Sequence, residues 1–425
     1  MVQASIFSYA AKDGLEEIQG IECALVTFSS ISQIEVSTMR ILLFSSQLFT
    51  IANYALCLPR SGIDVFMAPL FSSRQKKFYQ DDRYQALLRE LQQRGVRIVP
   101  IFLQAPDASF RHFLNPLIFV RDFKTVFQTL RALAPDAVIG SYILHAIPLA
   151  VFKRLFHYRL FVRASGGDIN LHGTQFHRIV RKFIYSQSDL VFAVSRELSE
   201  KIYSESGCKP ILLTGGTDPS FFRNLRSKGG LRQKWHLKDD QIVILTVCNL
   251  VKHKGVNVLV KAVSLLRNRL ERANVQLVIV GKGPEERSLK KLASNLGLEE
   301  RVVFLGYRSR KELLELYNAA DLFVLASYTE GLPAVLLEAM ACENLCISTP
   351  VGDVGKVIKE GHNGFLVKTG ESVVLAEKMK EILLLPEEQK FIICKQARKT
   401  IETHFDLRRT ADKMIRLVTA QMRAR

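Results

Sequence analysis

The sequence predicts an α/β protein of two doubly wound domains, each a parallel sheet covered by helices, that face each other across a cleft. Three observations indicate this fold. The 425 residues exceed what one ordinary core uses. Apolar strand-like runs alternate with amphipathic stretches, and this alternation restarts near residue 242. Ligands of such sheets bind beyond the carboxyl ends of the strands, so a cleft between two of them suits a reaction of two substrates.

The first domain is predicted over residues 39–215. Its predicted strands are 40–44, 63–67, 96–100, 137–139, 160–164 and 190–194, and its predicted helices are 84–93, 123–133, 146–156 and 175–187. Residues 1–38 precede it as an N-terminal extension. They hold one basic and five acidic residues in a chain whose net charge is +18. A translation start at Met39 is the alternative.

The second domain is predicted over residues 220–405. Its predicted strands are 242–247, 275–280, 302–305 and 321–326, and its predicted helices are 255–270, 285–296 and 310–319. The remaining stretch, 406–425, is predicted to be a basic helix that no strand follows.

Composition narrows the class of protein. A hydrophobic content of 48% with 24% charged residues is typical of a folded globular chain. We find neither an apolar run long enough for a membrane span nor a signal-peptide pattern, which predicts a cytoplasmic protein. The seven cysteines are scattered and are expected to be buried thiols.

The basic charge suits an anionic partner. No nucleic-acid-binding motif is present, so nucleic acid is not expected as a partner. The basic and aromatic stretches 153–159 and 178–183 suggest peripheral contact with an anionic membrane at its inner face. A solvated helix face is the simpler interpretation of both stretches.

Most of the chemistry is carried by one segment, Glu330-Gly331-Leu332-Pro333-Ala334-Val335-Leu336-Leu337-Glu338, which follows the predicted strand 321–326. Proline is well tolerated in the first turn of a helix, where free backbone N–H groups can hold a phosphate. Glu338, inside that helix, can accept two hydrogen bonds from ribose hydroxyls. Glu330 can reach a sugar hydroxyl or support positive charge at an anomeric carbon. This layout predicts a nucleotide-sugar transferase.

Two loops of the second domain offer further candidates. Lys254 follows strand 242–247 and can neutralise a diphosphate. Gly281-Lys282-Gly283-Pro284 follows strand 275–280 and lets backbone N–H groups approach a ligand, although a plain tight turn is the alternative. The sequence has no Asp-x-Asp and no metal-binding histidine pattern, so neither a metal nor a cofactor is expected.

Residues 242–405 resemble the C-terminal domain of glycosyltransferase family 4, the glycosyl transferases group 1. That family has the GT-B fold of two Rossmann-like domains. The matching residues are Lys254-Gly255, Gly281-Lys282-Gly283-Pro284, Val303-Phe304-Leu305-Gly306, the Glu330–Glu338 segment and residues 361–367. Asp218 with Phe222, and Gly166-Gly167-Asp168, resemble two further motifs of the family.

The resemblance implies transfer of a sugar from a nucleotide-diphosphate sugar, with retention, to a glycan or lipid-linked acceptor. Its implied setting is polysaccharide or other cell-envelope glycoconjugate synthesis, and the last helix is expected to cross back to the first domain. Glu330 and Lys254 take the catalytic roles. The implied donor-binding residues are Glu338, Gly331, Leu332, Pro333, Asn249, Gly281, Gly283, Gly306 and Arg308, and the implied acceptor-side residues are Ser165 and Asp168.

Several positions depart from the family pattern. Asn249 stands where the family usually has an arginine, and Ser165 stands where it has a histidine. Segments 352–356 and 45–49 also lack the usual glycine arrangement. These departures suggest an alternative: a catalytically silent homologue that binds a nucleotide sugar or a partner transferase. A nicotinamide-dependent oxidoreductase, based on Gly281-x-Gly283, and a sugar-nucleotide epimerase are weaker alternatives.

Overall fold

The computed structural model describes residues 38–45, 48–58, 62–72, 82–103, 116–141, 143–165, 175–269 and 274–424. The predicted extension lies outside these ranges except for Thr38, and the candidate Asp168 lies outside them entirely. Residues 39–425 form one compact unit. No helix in the described ranges is long and apolar enough to cross a bilayer.

The first half of this unit is built on one parallel sheet of eight described strands, in the order β3-β2-β1-β5-β6-β7-β8 with β4 paired to β2. The strands are β1 (Met39–Ser45), β2 (Ile63–Ser72), β3 (Arg97–Ile98), β4 (Ile101–Leu103), β5 (Ala137–Ser141), β6 (Arg159–Ala164), β7 (Leu190–Ala193) and β8 (Ile211–Leu212). The helices are α1 (Leu48–Cys57), α2 (Asp82–Gln93), α3 (Pro116–Leu133), α4 (Ile147–Phe156), α5 (Gln175–Gln187) and α6 (Arg196–Ser206). A short 3₁₀ helix precedes α4 at Ile143–Ala146.

The second half is built on a parallel sheet of six described strands, in the order β11-β10-β9-β12-β13-β14. Its strands are β9 (Gln241–Val247), β10 (Asn274–Val280), β11 (Val302–Gly306), β12 (Leu322–Leu325), β13 (Leu345–Ser348) and β14 (Phe365–Leu366). Its helices are α7 (Lys228–Lys234), α8 (Val256–Arg269), α9 (Glu286–Asn295), α10 (Arg310–Ala319), α11 (Ala334–Ala341), α12 (Val354–Val357), α13 (Ser372–Leu383) and α14 (Glu387–His404).

Each sheet carries an apolar layer on both faces, as expected for parallel strands covered by helices. The last helix, α15 (Leu407–Arg423), belongs to the first half although it ends the described chain. Its buried residues join the core beneath α1, with which it packs: Leu407, Ala411, Met414, Ile415 and Val418. The crossing back that the family resemblance implied is therefore confirmed.

The α/β class and the two parallel sheets confirm the predicted fold, and most element bounds agree within two residues. The predicted strand 96–100 is instead divided into β3 and β4, which Val99 and Pro100 separate. A proline has no N–H to give to a neighbouring strand, so it interrupts the ladder. Helix α3 begins at Pro116 rather than at 123, with proline in the first turn, where it is well tolerated.

Candidate active site

The two predicted catalytic side chains form an ion pair. Lys254 ends a 3₁₀ turn that follows β9, and Glu330 lies in the loop that follows β12. Lys254 Nζ is 2.7 Å from both carboxylate oxygens of Glu330. Ser327 Oγ also donates to Glu330 Oε1 at 2.6 Å. The pair forms because β9 and β12 are neighbours in the sheet, so the loops at their carboxyl ends meet.

Gly255 allows this close approach of the two loops. Its φ of 63° is left-handed, and a Cβ at this position would lie 2.0 Å from the carbonyl oxygen of Ala326 at the end of β12. A side chain would therefore push the loop of Lys254 away from the loop of Glu330. This contact is a physical reason for the Lys254-Gly255 dipeptide.

The backbone after Glu330 is open on one side and supported on the other. Gly331 is exposed, and a Cβ added to it would meet no atom within 4 Å. A second loop supports the segment from behind, because Asp353 N donates to Gly331 O at 2.9 Å. Gly352 packs so closely there that a Cβ would lie 2.3 Å from Glu330 O.

Pro333 caps helix α11 rather than standing inside its first turn. Its backbone is extended, with φ −73° and ψ 113°, and the helix begins at Ala334. No side chain caps this helix end. The first N–H groups of α11 therefore stay available to an anion, and they carry the positive end of the helix dipole.

Glu338 is buried in α11 and is held by Tyr317, whose hydroxyl donates to Glu338 Oε2 at 2.9 Å. Burial raises the pKa of Glu338, while the Tyr317 hydrogen bond and the positive charge of Arg310 oppose this rise. Arg310 in turn donates to Glu90 Oε1 at 2.8 Å and thereby links the two halves. The predicted contact of Glu338 with a ribose stays a prediction.

The glycine candidates are placed around the ends of β10 and β11. Gly281 N donates to Gly306 O at 2.7 Å. Close backbone packing surrounds both glycines of the Gly281-x-Gly283 turn: a Cβ on Gly281 would lie 1.8 Å from Cys248 O, and one on Gly283 would lie 2.2 Å from Leu250 O. The loop that holds Asn249 thus packs directly against this turn.

Arg308 packs against an aromatic ring, whereas Cys248 is a buried thiol. Arg308 stacks over Trp235, with its Cζ 5.4 Å from the ring centroid. Its Nε lies 3.7 Å from Glu312 Oε1. Burial raises the pKa of Cys248 to about 12, so this thiol close to Lys254 and Glu330 is protonated at neutral pH.

A cavity of about 610 Å³ lies between the halves, at the carboxyl ends of both sheets. From the second half it is lined by Glu330, Gly331, Leu332, Ala334, Leu337, Gly352 and Asp353, and from the first half by Asn53, Tyr54, Arg163, Ser165, Val194, Ser195, Glu197, Leu198 and Lys201. Gly215, Gly216 and Leu407 complete the wall. The structure therefore brings the predicted acceptor-side Ser165 to the same cavity as Glu330.

Sequence reasoning missed Arg163, Tyr54, Glu197, Lys201 and Asp353 on this wall. Arg163 gave one recognisable signal, because it is a charged residue inside the apolar run of β6. Charged residues are rarely found fully buried in a strand without a specific role. The other four lie in helices or loops, where polar residues are ordinary.

Comparison with known proteins agrees with this fold. Residues 227–400 match the sequence profile described as Glycosyl transferases group 1. The chain is 29% identical over 273 residues to N-acetyl-alpha-D-glucosaminyl L-malate synthase of Bacillus anthracis. The aligned region covers 61% of this chain and 68% of the synthase. The chain is also 29% identical over 285 residues to GDP-mannose-dependent alpha-(1-6)-phosphatidylinositol monomannoside mannosyltransferase of Mycolicibacterium smegmatis, covering 64% and 71%.

A solved structure shows the same fold. The crystal structure of Anabaena HepE in complex with UDP and glucose superimposes with a TM-score of 0.69 over 90% of this chain and all of that one, at 20% sequence identity. The profile match assigns residues 227–400 to the glycosyl transferases group 1, and the two-sheet architecture gives the described chain the GT-B fold.

Proposed function

We propose that this glycosyltransferase moves a sugar from a nucleotide-diphosphate sugar to a glycan or lipid-linked acceptor, with retention at the anomeric carbon. The observation that carries the proposal is the ion pair of Lys254 and Glu330 at the carboxyl edge of the second sheet. The uncapped start of α11 lies a few residues further along the same loop. The Glu330 carboxylate and the start of α11 thus lie together at one wall of the cavity, and Lys254 is paired with that carboxylate.

The leaving group explains why this arrangement suits the reaction. A nucleotide-diphosphate sugar gives up its sugar as positive charge develops at the anomeric carbon and negative charge develops on the departing diphosphate. The Lys254 ammonium and the first N–H groups of α11 would stabilise the diphosphate. The Glu330 carboxylate holds Lys254 in place and would face the developing positive charge.

The relatives support the donor class. One is named as GDP-mannose-dependent, and HepE was crystallised with UDP and glucose. Both facts favour a nucleotide sugar as the donor of this chain, in polysaccharide or other cell-envelope glycoconjugate synthesis. We further propose that the reaction needs no metal ion, because Lys254 and the helix start supply positive charge.

An exposed patch on the first half supports peripheral contact with an anionic membrane. We define it by the exposed apolar Val151, Leu155, Ile179 and Phe183 and the exposed basic Arg154, Arg178 and Lys182, on the adjoining helices α4 and α5. Apolar side chains next to cationic ones favour the interface of an anionic bilayer. Sedimentation of the protein with vesicles that contain or lack phosphatidylserine tests this contact. Equal binding to the two kinds of vesicle would count against it.

Donor screening tests the transferase function. The purified chain is incubated with UDP-, GDP- and ADP-sugars, and transfer or slow hydrolysis is followed by mass spectrometry. Turnover of one donor that disappears in Glu330→Gln supports the proposal. Binding of a nucleotide sugar without any turnover would instead indicate the silent homologue, and absence of both would reject the proposal.

A further inference from the structure

Arg163 is a buried cation at the end of a central strand. It lies on β6, with Ser141 of β5 beside it in the sheet register and Ser45 of β1 beside Ser141. On this face of the sheet, apolar residues such as Leu43 and Phe161 precede these three positions. The apolar layer thus changes to a polar row at the carboxyl end of the sheet, where ligands of such folds bind.

The guanidinium of Arg163 has no anionic partner among the described residues. The residue is only 4% exposed. Its Cζ lies 4.8 Å from the centroid of the Tyr54 ring, and Tyr54 is itself buried. Within the described ranges no ion pair or hydrogen bond joins the guanidinium to another side chain, and its Nε has no hydrogen-bond partner. The neighbouring Ser141 Oγ is also without a partner there.

The other buried arginines behave differently. Arg181 Nη2 lies 2.9 Å from Glu205 Oε2, and Arg232 Nη2 lies 2.5 Å from Asp321 Oδ2. This contrast is informative because arginine keeps its charge when it is buried, and a buried charge is costly unless it is paired. Stacking on Tyr54 recovers part of this cost but satisfies none of the five N–H donors.

Arg163 also lines the cavity, on the wall opposite Glu330 and Gly331. We propose that Arg163, stacked on Tyr54, binds an anionic group of the acceptor, either a carboxylate or a phosphate. This inference rests on the proposed function, which assigns the donor to the wall of the second sheet. Because that proposal assigns Lys254 and the start of α11 to the donor diphosphate, the unpaired guanidinium on the facing wall is left for the second substrate. A planar guanidinium binds either anion through two parallel hydrogen bonds.

Anion binding by the full chain tests this inference. Inorganic phosphate and malonate are titrated by calorimetry in a buffer free of phosphate and carboxylate, with and without saturating UDP. Wild type is compared with Arg163→Met, which keeps the volume and removes the charge, and with Arg163→Lys. Arg196→Gln is the matched control, since Arg196 is an exposed cation in the first turn of α6 outside the cavity wall. Thermal melting of each variant checks the fold.

We expect wild type and Arg196→Gln to bind one of the two anions with UDP present, and Arg163→Met to lose at least about tenfold of that affinity. Tighter binding of malonate would indicate an acceptor with a carboxylate, and tighter binding of phosphate an acceptor with a phosphate. Arg163→Met should melt no lower than wild type, because an unpaired buried charge has been removed. Arg163→Lys, whose ammonium does not offer the planar pair of donors, should bind the anion more weakly than wild type, and it carries the comparison if Arg163→Met does not fold.

Two results would overturn the inference. Equal anion affinity in wild type and the Arg163 variants would show that the guanidinium holds no anion. A large loss of UDP affinity in Arg163→Met, with anion binding abolished by UDP in wild type, would assign Arg163 to the donor instead. If UDP, GDP and ADP all fail to bind wild type while the anion response still depends on Arg163, the proposed donor site fails and the anion site stands.

Discussion

Lys254 and Glu330 are 76 positions apart in the chain, yet the lysine ammonium lies 2.7 Å from both oxygens of the glutamate. The side chain of Lys254 is 19% exposed and that of Glu330 is 8% exposed, so water screens the pair only partly. Such a pair holds each charge in a fixed direction before substrate arrives. Preorganised charge of this kind is the largest contribution to catalysis in many enzymes.

We expect Glu330→Gln to lower the turnover number about 100- to 1,000-fold, because the neutral amide no longer supports positive charge at the anomeric carbon. Donor affinity should change little, since the amide keeps the size of the side chain. Steady-state kinetics with the donor found by screening would measure the turnover number and the KM for the donor. Glu286→Gln is the control, as Glu286 forms an exposed pair with Lys290 at the same 2.7 Å. Equal turnover in the two variants would contradict the assigned role.

Lys254→Met should weaken donor binding at least about tenfold and destabilise the fold by about 2 kcal/mol, because Glu330 then stays largely buried without its ammonium partner. The double variant Lys254→Met with Glu330→Gln should recover more than half of the lost stability. Urea unfolding followed by circular dichroism, together with calorimetry of UDP binding, would measure these effects. Additive losses of stability in the double variant would show that the two residues do not depend on each other.

Glu338→Gln should stabilise the protein in a pH-dependent way. Burial raises the pKa of Glu338 above its ordinary value of 4.5, so the folded protein keeps this proton to a higher pH than the unfolded chain does. Wild type therefore loses stability as the pH rises above about 4.5, until the folded carboxyl ionises. The melting temperature of Glu338→Gln should exceed that of wild type by a margin that grows from pH 4.5 upward. The control is Glu343→Gln, since the Glu343 carboxylate is paired with Lys395 at 2.8 Å. Parallel profiles of melting temperature against pH for wild type and Glu338→Gln would contradict the prediction.

Two glycines should respond in opposite ways to alanine. Gly281→Ala places a Cβ 1.8 Å from Cys248 O at a φ of 135°, so we expect a loss of about 3 kcal/mol or more of stability. Gly331→Ala meets no atom and should change stability by less than about 0.5 kcal/mol. Its methyl group would lie where the donor phosphates are proposed to approach, so the donor KM should rise. Thermal melting and kinetics of both variants would check this, and an unchanged KM in Gly331→Ala would place the phosphates elsewhere.

Activity should be the same in excess EDTA and in added Mg²⁺, because Lys254 and the start of α11 are proposed to neutralise the departing diphosphate. Initial rates of the purified chain under both conditions would test this. A rate that falls in EDTA and returns on addition of Mg²⁺ would show that a metal shares this task.

Much of the architecture could be predicted because apolar runs and amphipathic stretches mark parallel strands and their covering helices in the sequence. The proposed donor residues could be named as a set only through the resemblance of the Glu330–Glu338 segment to a family, and their role stays a prediction. Their mutual geometry could not be predicted. The contact of Lys254 with Glu330 depends on β9 lying beside β12, and the order of strands in a sheet leaves no local trace in the sequence.

Arg163 was missed for a related reason. Its strand also carries Arg159, which is paired with Asp189, so the sequence does not distinguish the two arginines. The lack of a carboxylate partner for Arg163 becomes visible only when the neighbouring side chains are placed. Pro333 was predicted within the first turn of α11 but lies one position before it. Single positions at the end of an element depend on local hydrogen bonds that a sequence pattern does not fix.

The return of α15 to the first half has a consequence for synthesis of the chain on the ribosome. The core beneath α1 receives Leu407, Met414 and Val418, and these residues are translated after the whole second sheet. At ordinary elongation rates the second sheet takes on the order of ten seconds or more to emerge. For that time the nascent first half exposes an apolar groove, which makes it a natural client for chaperones. Its core is completed only when α15 has emerged.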